Sequence, residues 1–284
     1  LDGGSGDDAA DGNQGADTGF LRRGDDSFTW DPGDGSDRVE GSRGDDTLVF
    51  NGAAGAETFD VSANGKRLRF FRTPGNIVMD VDDTERLDLR ALGSIDTVTM
   101  NDVSRTDLEV FDIDLAGALG GTAGDGAGDI VSLLGSDSSN GGWHWGDDDD
   151  GDRRRSDDEV RITAAADGAI TVTGLSALVR IAHAEGALDT LDVATLGGDD
   201  EIDATGFPAT AINLSLDGGA DDDVIRGGAG AERLFGGSGE DDVDGNQGAD
   251  VAILGSGDDS FTWDPGDASD VVEGEEGYDR MLFN

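Results

Sequence analysis

The sequence predicts an all-β chain folded as one continuous parallel β-solenoid. Three observations carry that expectation. Residues 218–282 read in nines as GGADDDVIR, GGAGAERLF, GGSGEDDVD, GNQGADVAI and LGSGDDSFT, then, after two extra residues at Trp263 and Asp264, as PGDASDVVE and GEEGYDRML. Between the glycine-rich ends lie short runs rich in β-branched residues and mostly bounded by Gly, Asp or Asn, as strands are. The apolar spacing of three and four that a helix needs is sustained nowhere.

Residues 1–51 hold five nonapeptide turns whose sixth-place acids are Asp8, Asp17, Asp26, Asp37 and Asp46. Glycine takes the first, second and fourth places, as Gly3, Gly4 and Gly6 do in the first turn. The eighth place points inward and is apolar at Phe28, Val39 and Leu48, but Ala10 and Gly19 thin that line. Trp30 lies beside a two-residue stutter and is expected to cover a widened coil. Arg22 and Arg23 replace small residues found at Gly255 and Ser256, which sets this copy apart from the later one.

Residues 52–216 lose the nine-residue beat but keep strand-like runs such as RLRFF (67–71), NIVMDV (76–81), LEVFDIDL (108–115) and AINLSL (211–216). We expect a wider β-helix here, with acids such as Asp96, Asp189 and Asp199 forming a solvated face. ALGSIDTVTMND (91–102) and TLGGDDEIDATG (195–206) follow one template, so this middle repeats as well. The segment 135–159, with its charge runs, reads as a loop extruded into solvent; its Trp143-His144-Trp145 centre is alternatively a contact patch.

Residues 217–284 resume the turns, with acids Asp223, Glu232, Asp241, Asp250, Asp259, Asp270 and Asp279. Their glycines include Gly218, Gly219, Gly227, Gly228, Gly230, Gly236, Gly237 and Gly239. Ile225, Leu234, Val243, Phe261, Val272 and Met281 take the inward place, and Trp263 repeats the position of Trp30. A longer period overlies the nines. LDGGSGDDAADGNQGAD at the start recurs as LFGGSGEDDVDGNQGAD from Leu234, and GDDSFTWDPGD recurs at the same offset of 233 residues. The nonapeptide does not demand GNQGAD or WDPGD, so tandem duplication is the better account, with a second unit opening at residue 234.

Composition narrows the function. The formal net charge is −45, with 19 Lys and Arg against 64 acids and no basic stripe, which argues against nucleic acid as a partner. No cysteine is present, so neither disulfides nor thiolate metal sites exist. No apolar run reaches the roughly 18 residues of a membrane span. The chain opens inside a nonapeptide and reads as an excerpt of a longer protein. There is no HExxH, GxSxG or P-loop, and the two histidines, His144 and His183, suggest no catalytic pair. The Arg23-Gly24-Asp25 and Arg43-Gly44-Asp45 tripeptides fall on nonapeptide places and read as part of the repeat.

The repeat G-G-x-G-x-D-x-U-x is the pattern of calcium-binding parallel β-rolls. Calcium takes six to eight oxygens at about 2.3–2.6 Å. Each turn offers an Asp carboxylate and backbone carbonyls, and glycine permits the dihedrals that converge them. Two nonapeptides make one coil, so turns alternate between two edges. That predicts two rows of ions, one at Asp223, Asp241 and Asp259, the other at Glu232 and Asp250, where the longer Glu232 is the weak point. Stacked strands lie about 4.8 Å apart, so aligned carboxylates repel unless a cation stands between them.

With GNQGAD, GSGDDSFTWDPGDASDVVEG, TLGGDDEIDATG and ALGSIDTVTMND, these nonapeptides resemble the haemolysin-type (RTX) calcium-binding repeat family and look like its large tandem-repeat bacterial members. The resemblance implies secretion to the cell exterior and folding triggered by calcium there. It favours a segment of an extracellular fibre, adhesin stalk or surface layer, with neighbouring copies of the repeat as partners. The alternative is a calcium-folding appendage of a secreted hydrolase, epimerase or toxin; a carbohydrate- or surface-binding module is a weaker one.

Overall fold

A computed structural model describes residues 1–136 and 157–284. Among them there is no helix, and the regular structure is twenty-five short strands. The segment 135–159 and its Trp143-His144-Trp145 centre fall largely outside the described residues. Two compact units divide the chain: Leu1–Ser132 with Ala165–Thr171 and Ser176–Thr190, and Leu133–Ala164 with Val172–Leu175 and Leu191–Asn284. The strands β12 (Ile130–Leu134), β14 (Ile170–Thr173) and β16 (Thr190–Ala194) lie where the chain passes from one unit to the other.

In the first unit, one sheet runs β1 (Ala9–Asp11), β3 (Ser27–Trp30), β5 (Thr47–Asn51), β9 (Arg86–Arg90), β11 (Val110–Asp114) and β15 (Leu178–Ala182). All these neighbours pair in parallel. Register places Phe28, Leu48, Leu87, Phe111 and Val179 in one line, each fully buried. The second sheet runs β2 (Thr18–Arg23), β4 (Arg38–Arg43), β8 (Ile77–Asp82), β7 (Arg67–Thr73), β6 (Thr58–Asn64) and β10 (Thr97–Met100).

In the first unit β7 departs from the parallel pattern. β7 runs antiparallel to both β6 and β8, while β8 rejoins β4 and β10 rejoins β6 in parallel. The reason is local: Gly65, at φ 71°, lets Gly65-Lys66 reverse the chain in two residues, which a solenoid coil never does. The hairpin turns Phe59 and Phe70 inward beside Phe50, which stacks on Trp30 at 4.1 Å.

In the second unit, β13 (Glu159–Ala164), β17 (Glu201–Asp203), β19 (Val224–Arg226), β21 (Asp242–Asp244), β23 (Ser260–Trp263) and β25 (Arg280–Phe283) form one parallel sheet. β18 (Asn213–Ala220), β20 (Arg233–Ser238), β22 (Val251–Ser256) and β24 (Val271–Glu276) form another. Ile202, Ile225, Val243 and Phe261 align and are buried, as alternation along each strand requires.

Two inward expectations are corrected. Val272 is only half-buried and Met281 is 46% exposed, because β24 and β25 are the last strands of their sheets and are paired on one side only. The gap at Gly19 is filled from its neighbour: a Cβ there would meet the Phe28 ring at 2.9 Å. At both stutters the indole ties the extra residues down, Trp30 Nε1 donating to the Gly35 carbonyl (2.8 Å) and Trp263 Nε1 to that of Ala268 (3.1 Å).

Candidate metal centre

Each sixth-place acid precedes a strand by one residue, so strand pairing brings acids of successive coils into line. In the second unit the Asp223 N–H donates to Asp241 Oδ1 at 2.9 Å, Asp241 donates to Asp259 at 2.9 Å, and Asp259 to Asp279 at 3.3 Å. On the other edge, Glu232 donates to Asp250 at 2.8 Å and Asp250 to Asp270 at 3.0 Å. The first unit repeats the arrangement, with Asp8 to Asp26 (2.6 Å), Asp26 to Asp46 (2.9 Å) and Asp17 to Asp37 (2.8 Å). Steps are 18 residues where the nines are unbroken and 20 where a stutter intervenes.

The ladders extend further than the sequence suggested. Asp46 donates to Glu85, Glu57 to Asp96, Asp96 to Asp129, and Asp129 to Asp189, while Asp158 donates to Asp200 and Asp200 to Asp223. Asp96 is 0% exposed and Asp189 1%, so these two are no solvated face; Asp199 is exposed, and its neighbour Asp200 is the enclosed acid. The available signal was an acid two residues before an inward apolar side chain: Asp96 before Val98, Asp129 before Val131, Asp200 before Ile202. Fifth-place acids form a second, exposed ladder that sequence reasoning missed, running the opposite way. There the Asp25 N–H donates to Asp7, Asp45 to Asp25, and Glu240 to Asp222.

Most of the enclosed aspartates use only one oxygen, whereas Asp189 uses both, its Oδ2 accepting the Glu185 N–H at 2.6 Å. The Oδ2 atoms of Asp8, Asp26, Asp37, Asp46, Asp96, Asp223, Asp241, Asp250 and Asp259 are buried and accept no hydrogen bond. A carboxylate oxygen cut off from water without a partner is costly. The first-place glycines make room for these atoms: a Cβ at Gly236 or Gly245 would stand 2.5 Å from the Oδ2 of Asp241 or Asp250, and one at Gly3 would stand 3.2 Å from that of Asp8. Gly218 and Asp223 repeat the relation. At the second and fourth places Gly237 and Gly239 take φ values of 112° and 144°, and a side chain on either would strike the carbonyl of Gly219 or of Asp221 in the preceding coil. Gly4, Gly6 and Gly219 also have positive φ.

The electrostatics agree with the geometry. Burial pushes the Asp223 carboxyl up to about 8, and repulsion from Asp200, Asp241 and Asp199 adds to it against the opposing Asp200 amide. Burial likewise raises Asp96 to about 8, and Asp46, Asp129 and Asp241 to about 6. A hard divalent cation fits this donor set: enclosed anionic oxygens, repeated along each edge, with carbonyls turned toward the same turns. Glu232 differs. Its two oxygens accept the N–H groups of its own turn, Gly228 at 3.1 Å and Gly230 at 2.9 Å, so neither is orphaned, and Gly227 borders them. Outside the ladders, Asp82, Asp83 and Asp107 bring carboxylate oxygens within 4.8 Å of one another, but at the surface and with Arg67 on Asp82. His183 is paired with Asp114 at 2.6 Å.

Four segments, residues 1–28, 31–60, 215–243 and 235–262, match the RTX calcium-binding nonapeptide repeat. No similar protein was found among curated proteins. The chain carries RTX calcium-binding nonapeptide repeats, which bind multiple calcium ions, on an all-β scaffold of mostly parallel sheets. Among the described residues no helix is long and apolar enough to cross a membrane.

Proposed function

We propose that this chain is a calcium-folded structural segment of a secreted protein, a length of extracellular fibre, adhesin stalk or surface layer. The observation that carries the calcium reading is the set of enclosed, unpartnered Oδ2 atoms on the ladders, most continuous at Asp223, Asp241 and Asp259. The residues that would hold the ions are Asp8, Asp17, Asp26, Asp37, Asp46, Asp223, Asp241, Asp250, Asp259, Asp270 and Asp279, with carbonyls of their glycine turns; the Glu232 turn contributes least. Bound calcium supplies charge neutralisation and a cross-link between coils. The protein's own part is to hold the carboxylates in line in the folded chain, through amide-to-Oδ1 bonds.

Extracellular calcium modules work at about 10⁻⁴–10⁻³ M, so such a segment folds outside the cell and stays loose inside it. The structural role rests on the 233-residue duplication, which extends a surface without adding a catalytic constellation. Circular dichroism with calcium and then with excess chelator tests the reading. Strand signal lost on chelation and restored by calcium is expected; an unchanged spectrum overturns it.

A further inference from the structure

Residues 91–96, Ala-Leu-Gly-Ser-Ile-Asp, lie outside every segment that matches the calcium repeat. Their backbone nevertheless follows the repeat. Leu92 at φ 71° and Ser94 at φ 96° occupy the second and fourth places, where the turn at residues 3–8 has Gly4 at 96° and Gly6 at 98°. Non-glycine residues hold the left-handed region only where their surroundings impose it. The sixth place is Asp96, fully buried, whose Oδ1 accepts the Glu57 N–H at 2.8 Å and whose N–H donates to Asp129 Oδ1 at 2.8 Å.

The independent sign of a ligand is Asp96 Oδ2, enclosed and without a hydrogen-bond partner. The charges that act on Asp96 are carboxylates, Asp129, Glu57 and Asp125, of which Glu57 is paired with Arg72. Among the described residues Asp96, Asp125 and Asp129 make no ion pair, so no side-chain cation offsets them. Asp125 closes over the turn, its Oδ2 accepting the Ser94 N–H. The open side of Gly93, where a Cβ would stand, is flanked by the Gly117 carbonyl at 3.7 Å and Asp125 Oδ2 at 3.9 Å. Anionic and carbonyl oxygens thus converge on one turn with no hydrogen-bond donor for the innermost.

We propose that the 91–96 turn, with Asp96 and Asp125 as its anionic ligands, is a further calcium site, a nonapeptide turn in conformation that has lost the nonapeptide's glycines. It rests on the calcium reading of the matched repeats but concerns different residues. The consequence is that the first unit takes up calcium in the stretch where the sequence beat fades.

The test counts calcium bound to the full 284-residue chain by equilibrium dialysis against calcium chloride, with circular dichroism to confirm folding. Asp96→Asn keeps the acceptor for the Glu57 amide and removes the charge; it should bind one ion fewer than the parent. Ser94→Gly relieves the left-handed residue and should bind the same number, one of them several-fold more tightly. Asp241→Asn is the control within a matched repeat. If Asp241→Asn loses an ion while Asp96→Asn does not, this site is refuted and the repeat reading stands. If neither loses one, both fall. Should Asp96→Asn fail to fold, Ser94→Gly decides, because an unchanged isotherm overturns the site.

Discussion

The side chain at position 232 is one methylene longer than at 241, and the two carboxylates are used differently. Glu232 folds back onto the amides of Gly228 and Gly230, whereas Asp241 is too short and leaves Oδ2 enclosed and unpartnered. Asp241→Asn should therefore separate the two halves of the calcium effect. Without calcium the variant should retain more strand signal than the parent, because a buried charge is gone. With calcium it gains less, by about 2.7 kcal/mol for one site lost at a hundredfold excess over Kd. Circular dichroism in chelator and thermal melts in calcium read the two halves, and a variant with less strand signal than the parent in chelator would count against an enclosed, destabilising carboxylate. Gly237→Ala tests the cradle: at φ 112°, with the Gly219 carbonyl against the new Cβ, it should cost about 1–3 kcal/mol, seen as a lower denaturant midpoint at saturating calcium. The sixth-place acids of the matched repeats were legible because glycine announces their turns. Asp96 was not, because Leu92 and Ser94 supply the same left-handed backbone without the glycine that would betray it, and before Asp200 only the fourth-place Gly198 remains while Leu196 takes the second place.

At the scale of elements, the β6–β7–β8 hairpin supplies positive charge that the rest of the ladder lacks. Arg67, Arg69 and Arg72 all lie on β7 and pair with Asp80, Asp60 and Glu57. Glu57 is the member of the ladder that meets a guanidinium: Arg72 Nε donates to its Oε1 at 2.5 Å, while Oε2 accepts the Ala53 N–H at 2.6 Å. Arg72 also donates to the Pro74 carbonyl and lies over the Trp30 ring. An arginine therefore does at Glu57 what a calcium ion is proposed to do beside the aspartates. Arg72→Met should leave a buried, unpaired carboxylate and cost about 3–5 kcal/mol. Glu57→Gln added to it should recover most of that loss. Urea denaturation of the three variants at fixed calcium measures both steps, and equal midpoints for single and double variants would show that the cost was packing. The runs at 67–71 and 76–81 were legible as strands from their β-branched and aromatic residues. Their direction was not, because only the short Gly65-Lys66 reversal distinguishes a hairpin from a coil, and one glycine is inconspicuous among 48.

For the whole chain, a net charge of −45 and ladders of enclosed carboxylates make protons and calcium competitors for the same oxygens. The folded-state values of Asp223 and Asp96 are raised to about 8, and those of Asp46, Asp129, Asp200 and Asp241 to about 6, mainly by burial. An unfolded aspartate titrates near 3.9. A group whose value is raised on folding favours the folded state while both states are protonated, and that contribution fades as pH rises from the unfolded value through the folded one. The metal-free chain should thus hold most strand structure near pH 4 and lose it progressively up to about pH 8. Calcium reverses the trend, because its ligands must be deprotonated and binding releases protons. Circular dichroism across this range in chelator, repeated in millimolar calcium, gives two curves. Opposite slopes are expected below pH 8. A metal-free chain that gains strand signal as pH rises would mean that the enclosed aspartates are already neutralised from within the protein, and the calcium ladders would have no electrostatic work to do.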